Sequence, residues 1–249
     1  MGFGGAPACL GNYLEQYDTK VEVDRQGVID AVLRAVELGL TYFDTAAGYG
    51  NGEGEAIFSE ALSQIENRVF LATKLPPSTQ DAGRSVANNL ERLRVDNLDL
   101  IQIHGSSYSD EMTSSILSEG GLLAELEALR DEGLVRFNGF TTEDNNAGVY
   151  KFIRSGRFDS VQMTYNLLHQ HPAEQTRPFG SMFEAEEQDM GIRTMRSLTS
   201  GIFQKWVKQV NPNDNHDYTG DLLSFVLSNP LVEVALVGMR TQEMVEANV

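Results

Sequence analysis

Cysteine is almost missing from this chain: among 249 residues there is one, Cys9. A single thiol excludes an internal disulfide and any all-cysteine metal site, and it suits a reducing cytoplasm. Basic residues are scarce beside acidic ones. Lys and Arg total 19 against 36 Asp and Glu, a formal charge of −17. A surface that acidic repels nucleic acid phosphates and anionic membranes, so neither is expected as a partner. Any anionic ligand needs a local positive site against that background. No apolar run approaches the roughly 20 residues that span a bilayer. The opening MGFGGAPACLGNYLEQYD lacks a basic segment followed by an apolar one, so no signal peptide is expected. A glycine fingerprint of an open, doubly wound sheet is missing too. GFGGAP does not match GxGxxG, and YGNGEGE is spaced differently.

What the chain does have is alternation. Residues 24–39 place Val28, Val32, Ala35 and Val36 on one face and Asp30, Arg34 and Glu37 on another, which is helical spacing. Further helices are expected over 53–64, 81–93, 120–132, 145–155, 180–190, 217–228 and from 241. Strands are expected at GFG, 41–43, 69–73, 98–104, 135–140, 160–165, 192–195 and 232–237. Several strands are apolar throughout, as in a parallel sheet buried on both faces. Eight βα units close into a (β/α)8 TIM barrel, an α/β fold with its active site at the carboxyl ends of the strands. The hydrophobic share of 41% supports a substantial core, and a single barrel domain over 1–249 is expected. Residues 197–216 read as a long functional loop over the rim.

Four ionisable residues stand at or just past strand ends: Asp44, Tyr49, Lys74 and His104. Strands running parallel side by side bring them to one rim. Reducing a carbonyl requires a hydride on carbon and a proton on oxygen. A free tyrosine, with pKa about 10, is a weak proton donor. A neighbouring ammonium favours the phenolate and makes it a stronger one. Lys74 can supply that charge, Asp44 can hold Lys74, and His104 can hydrogen-bond the substrate oxygen. Each residue alone is explained as a cap, a solvated cation or a structural hydrogen bonder. Together they read as a proton-donating device.

The run from Asp44 to Glu53, with Ala72-Thr73-Lys74 and Asp99-Leu100-Ile101-Gln102-Ile103-His104, resembles the aldo-keto reductase signature. Gln162-Met163-Thr164-Tyr165-Asn166, Val237-Gly238-Met239-Arg240 and Asn248 resemble that family's cofactor segments. The resemblance implies a small-molecule aldehyde, ketone or sugar substrate and NADPH, with NADH possible, lying across the barrel mouth. It implies Asp44, Tyr49, Lys74 and His104 as a catalytic tetrad, with Tyr49 as acid. Gln162 would hold the nicotinamide carboxamide, Arg240 would meet the 2′-phosphate and Asn248 the adenine. Gly4, Thr141, Thr142, Met195, Leu198 and Gly238 complete the expected cofactor contacts.

The departures from the family pattern are as informative. Thr141-Thr142 stand where members often have Ser-Asn, Met195 where many stack a tyrosine, Ser197 where proline is usual, and Met244 and Ala247 where polar contacts are common. Members also usually open with a hairpin and close with a tail, and a barrel lacking both is expected here. The competing expectation is a catalytically weak barrel serving as a partner or redox-sensing subunit. A third, a metal-dependent hydrolase using His104, His169, His171 and His216, lacks the HxH pair after the first strand that would complete it. The candidate pocket residues are Tyr13, Tyr49, His104, Tyr108, His169 and Trp206.

Overall fold

Strand residues of one parity point into the barrel and those of the other parity point at the helices, and this alternation organises the whole molecule. The computed structural model describes residues 1–9, 24–174, 176 and 178–249; Tyr13 lies outside them. Among the described residues the strands are β1 (Gly2–Gly4), β2 (Tyr42–Asp44), β3 (Phe70–Leu75), β4 (Leu98–His104), β5 (Val135–Thr142), β6 (Ser160–Thr164), β7 (Gly191–Met195) and β8 (Val234–Gly238). They pair in parallel and in chain order, and β8 closes on β1. The expected (β/α)8 barrel is therefore the fold.

The helices are α1 (Ala6–Cys9), α2 (Arg25–Glu37), α3 (Glu53–Leu62), α4 (Ala82–Leu93), α5 (Asp110–Leu117), α6 (Leu122–Asp131), α7 (Ala147–Arg154), α8 (Ser181–Glu187), α9 (Ile202–Val210), α10 (Thr219–Leu227) and α11 (Gln242–Asn248). Their starts follow cap chemistry. The side chains of Asp24, Asp81, Ser109, Asn146 and Thr241 accept backbone N–H bonds at the heads of α2, α4, α5, α7 and α11. After α2, Gly39 takes a φ of 90°, a left-handed turn open to glycine.

Outward strand residues such as Phe3, Phe43, Ile101, Ile103, Phe140 and Val161 meet the inner faces of the helices in one continuous core. A second, smaller cluster fills the lower barrel interior with Tyr42, Ala72, Leu100 and Leu236, and Phe70, Phe137 and Val234 pack against it. Above that apolar layer the inward positions turn polar, and the site begins there.

Three elements differ from expectation, the short α1 among them. The stretch 197–216 is not a free loop: Ile202–Val210 forms α9, and Trp206 lies on it with 53% of its surface exposed. Gly201, Asn211 and Pro212 flag a loop, but the segment between them has helical spacing. α5 was not expected; its eight residues are rich in Ser and Thr, which favour caps and turns over helix interiors. Burial of Thr113 and Ile116, where α5 packs on α6 and α7, holds it in place.

Candidate active site

Register decides which side chains meet at the rim. Asp44 pairs with Ala72, Lys74 with Gln102 and His104 with Thr141, so the ends of β2 to β5 climb stepwise around the mouth. Lys74 lies at 1% exposure, and its three N–H bonds have partners: Asp44 Oδ1, Thr45 O at 2.7 Å and Tyr49 Oη at 3.3 Å. Its ammonium also sits 4.9 Å from the Tyr49 ring centroid. The His104 ring meets the Tyr49 ring edge-on, with centroids 5.6 Å apart. All four expected rim residues are thus brought together. Tyr49 reaches them because the chain reverses just after it: Gly50, Asn51 and Gly52 all take left-handed φ, and Gly52, at 94°, leads directly into α3.

Burial and charge set the electrostatics. Burial pushes the Lys74 ammonium below its ordinary pKa, against the opposing pull of Asp44. Burial, then the Lys74 charge, pushes His104 down to about 4, so its imidazole is neutral at pH 7. Behind β3, Thr73 donates to the buried Glu55 at 2.6 Å, and Arg92 closes that cluster from α4. Burial raises the Glu55 carboxyl.

The depressed His104 pKa predicts a stability effect. Between pH 6.5 and 4 the unfolded chain binds a proton that the folded chain refuses, so stability falls as pH falls through this window. The loss approaches about 3 kcal/mol at its lower end. His104→Gln removes it. Urea unfolding midpoints at pH 7 and 4.5 should drop less in the variant than in the wild type, and parallel drops would contradict the account.

Beside Tyr49 opens a cavity of about 380 Å³ lined by Gly4, Asp44, Tyr49, Gln162, Met195, Leu198, Gly238 and Arg240 among others. Gln162 donates through Nε2 to Met195 Sδ at 3.7 Å, while its Oε1 is buried without a partner among the described residues. Arg196 and Arg240 supply the cavity's positive charge. Arg240 Nε donates to Pro7 O, and Arg196 bonds Glu143 Oε1 at 2.8 Å and Ser200 Oγ at 3.1 Å.

The wall after β7 is conformationally strained. Arg196, Thr199 and Ser200 all have φ between 51° and 58°, a region that costs a non-glycine residue of order 1 kcal/mol or more. Asn166 Nδ2 donating to Arg196 O at 3.0 Å and Ser197 Oγ donating to Leu236 O at 3.1 Å hold it.

Several expected residues lie elsewhere. Thr141 and Thr142 do not line the cavity; their hydroxyls donate to Gly105 O at 2.8 Å and Asp144 O at 2.8 Å. Those bonds tie down the turns after β4 and β5 instead of reaching for a carboxamide. Asn248 is also outside the wall, and its Nδ2 turns back to Met244 O at 2.7 Å. Tyr108, a pocket candidate, is a core residue whose hydroxyl donates to Thr141 O at 2.8 Å and Ile103 O at 3.0 Å. His169 and His171 lie exposed on the turn after β6, and His216 pairs with Asp221 at 2.7 Å on the surface. No group of three or more His, Cys, Asp or Glu side chains converges among the described residues. Sequence reasoning passed over Gln102 and Arg193, which sit buried beneath Asp44. A charged residue, Arg193, at an inward position in the middle of β7 was the available signal.

Residues 9–222 match the model of the aldo/keto reductase family. The chain belongs to this family. It is 28% identical over 153 residues to the uncharacterized oxidoreductase YqkF of Bacillus subtilis, a match covering 56% of this chain and 47% of that protein. It is 27% identical over 187 residues to the NADH-specific methylglyoxal reductase of Escherichia coli, covering 66% and 53%. The matches thus span about half the length of these relatives. Among solved structures, the holo form of an aldo-keto reductase from Bacillus halodurans superposes with a TM-score of 0.77 at 22% identity, covering all of this chain and 84% of the other. An aldo-keto reductase from Klebsiella pneumoniae in complex with NADPH gives a TM-score of 0.76 at 21% identity, covering 99% and 83%. No helix among the described residues is long and apolar enough to cross a membrane.

Proposed function

We propose that this aldo/keto reductase reduces a small aldehyde or ketone to an alcohol, or runs the reverse oxidation, with NADPH as the preferred cofactor. The observation that carries the reading is the buried Lys74 ammonium, bound to Asp44 and 3.3 Å from the hydroxyl of Tyr49, a residue that lines the open cavity. The residues present suit a nicotinamide cofactor. The orphaned Gln162 Oε1 accepts from a carboxamide, Met195 and Leu198 present apolar surface to a ring, and Gly4 and Gly238 leave the wall free of side chains. When bound, the cofactor supplies the hydride.

The protein's own residues manage the proton. Tyr49 donates it to the carbonyl oxygen, and the Lys74 charge stabilises the phenolate left behind. Asp44 fixes Lys74 in place. His104, neutral at pH 7, offers a hydrogen bond to the same oxygen without carrying the proton itself. Methylglyoxal and similar short dicarbonyls head the substrate list, because a relative is named for that activity.

The test is NADPH and NADH oxidation, followed by absorbance, over a panel of aldehydes, ketones and sugars with the full chain. Turnover on at least one carbonyl is the expected result. Cofactor binding without turnover on any would favour the alternative, a sensing or partner barrel. Arg240 should set cofactor choice, since a guanidinium holds a 2′-phosphate through paired bonds and the acidic chain otherwise repels it. In fluorescence titrations Arg240→Ala should weaken NADPH by about 1.5–3 kcal/mol, roughly tenfold to more than a hundredfold, with NADH almost unchanged. Equal weakening of both would mean that Arg240 only supports Pro7 and its helix.

A further inference from the structure

Beneath the rim the barrel interior holds a guanidinium that the chemistry above does not use. Arg193 lies mid-way along β7, two residues below Met195 on the inward face, and is 5% exposed. Its Nη2 donates to Gln102 Oε1 at 3.0 Å and to Ser160 Oγ at 3.0 Å. The other end of Gln102 donates through Nε2 to Asp44 Oδ2 at 3.0 Å. Asp44 Oδ1 holds Lys74, and Lys74 contacts the Tyr49 hydroxyl. A continuous line of hydrogen bonds therefore runs from β7 across the barrel to Tyr49.

The direction of this line is fixed by chemistry. A guanidinium has only donors and demands the amide oxygen; a carboxylate only accepts and demands the amide nitrogen. Flipping Gln102 would set donors against donors at one end and acceptors against acceptors at the other. Gln102 thus has one orientation, and Asp44 has one oxygen for Gln102 and one for Lys74.

Keeping Arg193 there is costly. It makes no ion pair among the described residues, its Nε is buried without a partner, and it packs over the Tyr42 ring at 5.8 Å. Burying an unpaired cation opposes folding. The layer below, of Tyr42, Ala72, Leu100 and Leu236, shows how this barrel fills its interior when only packing is needed.

We propose that Arg193 is a positioning residue: through Gln102 it holds Asp44 in its Lys74-bound arrangement, and its charge makes Tyr49 a stronger acid. The proposal rests on Tyr49 being the proton donor. The ionisable groups around that phenol are Asp44 of β2, Lys74 of β3, His104 of β4, and Arg196 and Arg240 across the cavity. Glu55 lies behind β3, paired with Arg92. Against this set Arg193 adds a positive charge that favours the phenolate and disfavours the Lys74 ammonium, and burial keeps it poorly screened.

The experiment is an ultraviolet titration of the Tyr49 phenol in the full chain, read as the difference between each protein and its Tyr49→Phe counterpart. In Arg193→Met the midpoint should rise by about one pH unit, as expected for one charge removed from the barrel interior. Arg193→Lys keeps the charge and should shift less. Gln102→Leu keeps Arg193 but frees Asp44 Oδ2, and should also raise the midpoint. The pH limb of kcat should move with it, whereas a purely structural role would lower kcat at every pH without moving the limb. An unmoved midpoint in Arg193→Met, with turnover still lost in Tyr49→Phe, overturns this inference alone. Retained turnover in Tyr49→Phe overturns the assignment of the acid itself. If Arg193→Met does not fold, Gln102→Leu decides: a raised midpoint supports the relay, and an unmoved one overturns it.

Discussion

Tyr49→Phe should lower turnover by roughly 10² to 10⁴, the usual cost of losing a general acid, while cofactor affinity changes by less than about threefold. The two readouts separate because the substitution deletes one oxygen and keeps the ring. That ring meets His104 edge-on, faces the Lys74 ammonium and forms part of the cavity wall, all of which phenylalanine preserves. What disappears is the hydroxyl 3.3 Å from Lys74 Nζ, the proton donor in the proposed mechanism. His104 cannot substitute as the acid, since burial holds it unprotonated at pH 7. Steady-state kcat and KM on any carbonyl that the wild type reduces, with fluorescence titration of NADPH in parallel, make the test. Turnover comparable to wild type would remove Tyr49 from the mechanism.

How far the sequence carried this picture depends on what kind of signal each residue leaves. Asp44, Lys74 and His104 are legible because each stands at or next to the end of a strand, and a parallel barrel delivers strand ends to one rim whatever the details of packing. Gln102 and Arg193 leave no such mark. They are 91 positions apart, in the middle of strands; the charge of Arg193 marks a buried polar position without naming its partner, and only the register of β4 against β5, β6 and β7 brings the two into contact. Thr141 and Thr142 fail for a different reason. Whether a hydroxyl points to a ligand or to a neighbouring carbonyl depends on the turns after β4 and β5, and there Gly105 and Asp144 offer nearby acceptors. α9 hides behind the Gly, Asn and Pro that bracket it. Punctuation residues mark where a helix ends as readily as where a loop lies.

Lys74→Met should cost about 10³-fold or more in turnover at neutral pH, and Asp44→Asn should cost less. In the proposed mechanism lysine provides the charge that stabilises the phenolate, whereas aspartate only holds the lysine, whose Thr45 carbonyl contact at 2.7 Å survives Asp44→Asn. Stability should fall in Lys74→Met as well. Asp44 is 2% exposed, and without Lys74 its remaining side-chain hydrogen-bond partner among the described residues is Gln102. Breaking a buried pair by removing one partner costs about 3–5 kcal/mol, because a buried charge is left uncompensated. The double variant has no such orphan, so it should be more stable than Lys74→Met alone and should lose less activity than the two single losses combined. A double-mutant cycle on kcat, with urea midpoints for the same four proteins, measures both couplings. Strict additivity in either would mean that Lys74 and Asp44 do not act as one unit, and Tyr49 would then need another source for its acidity.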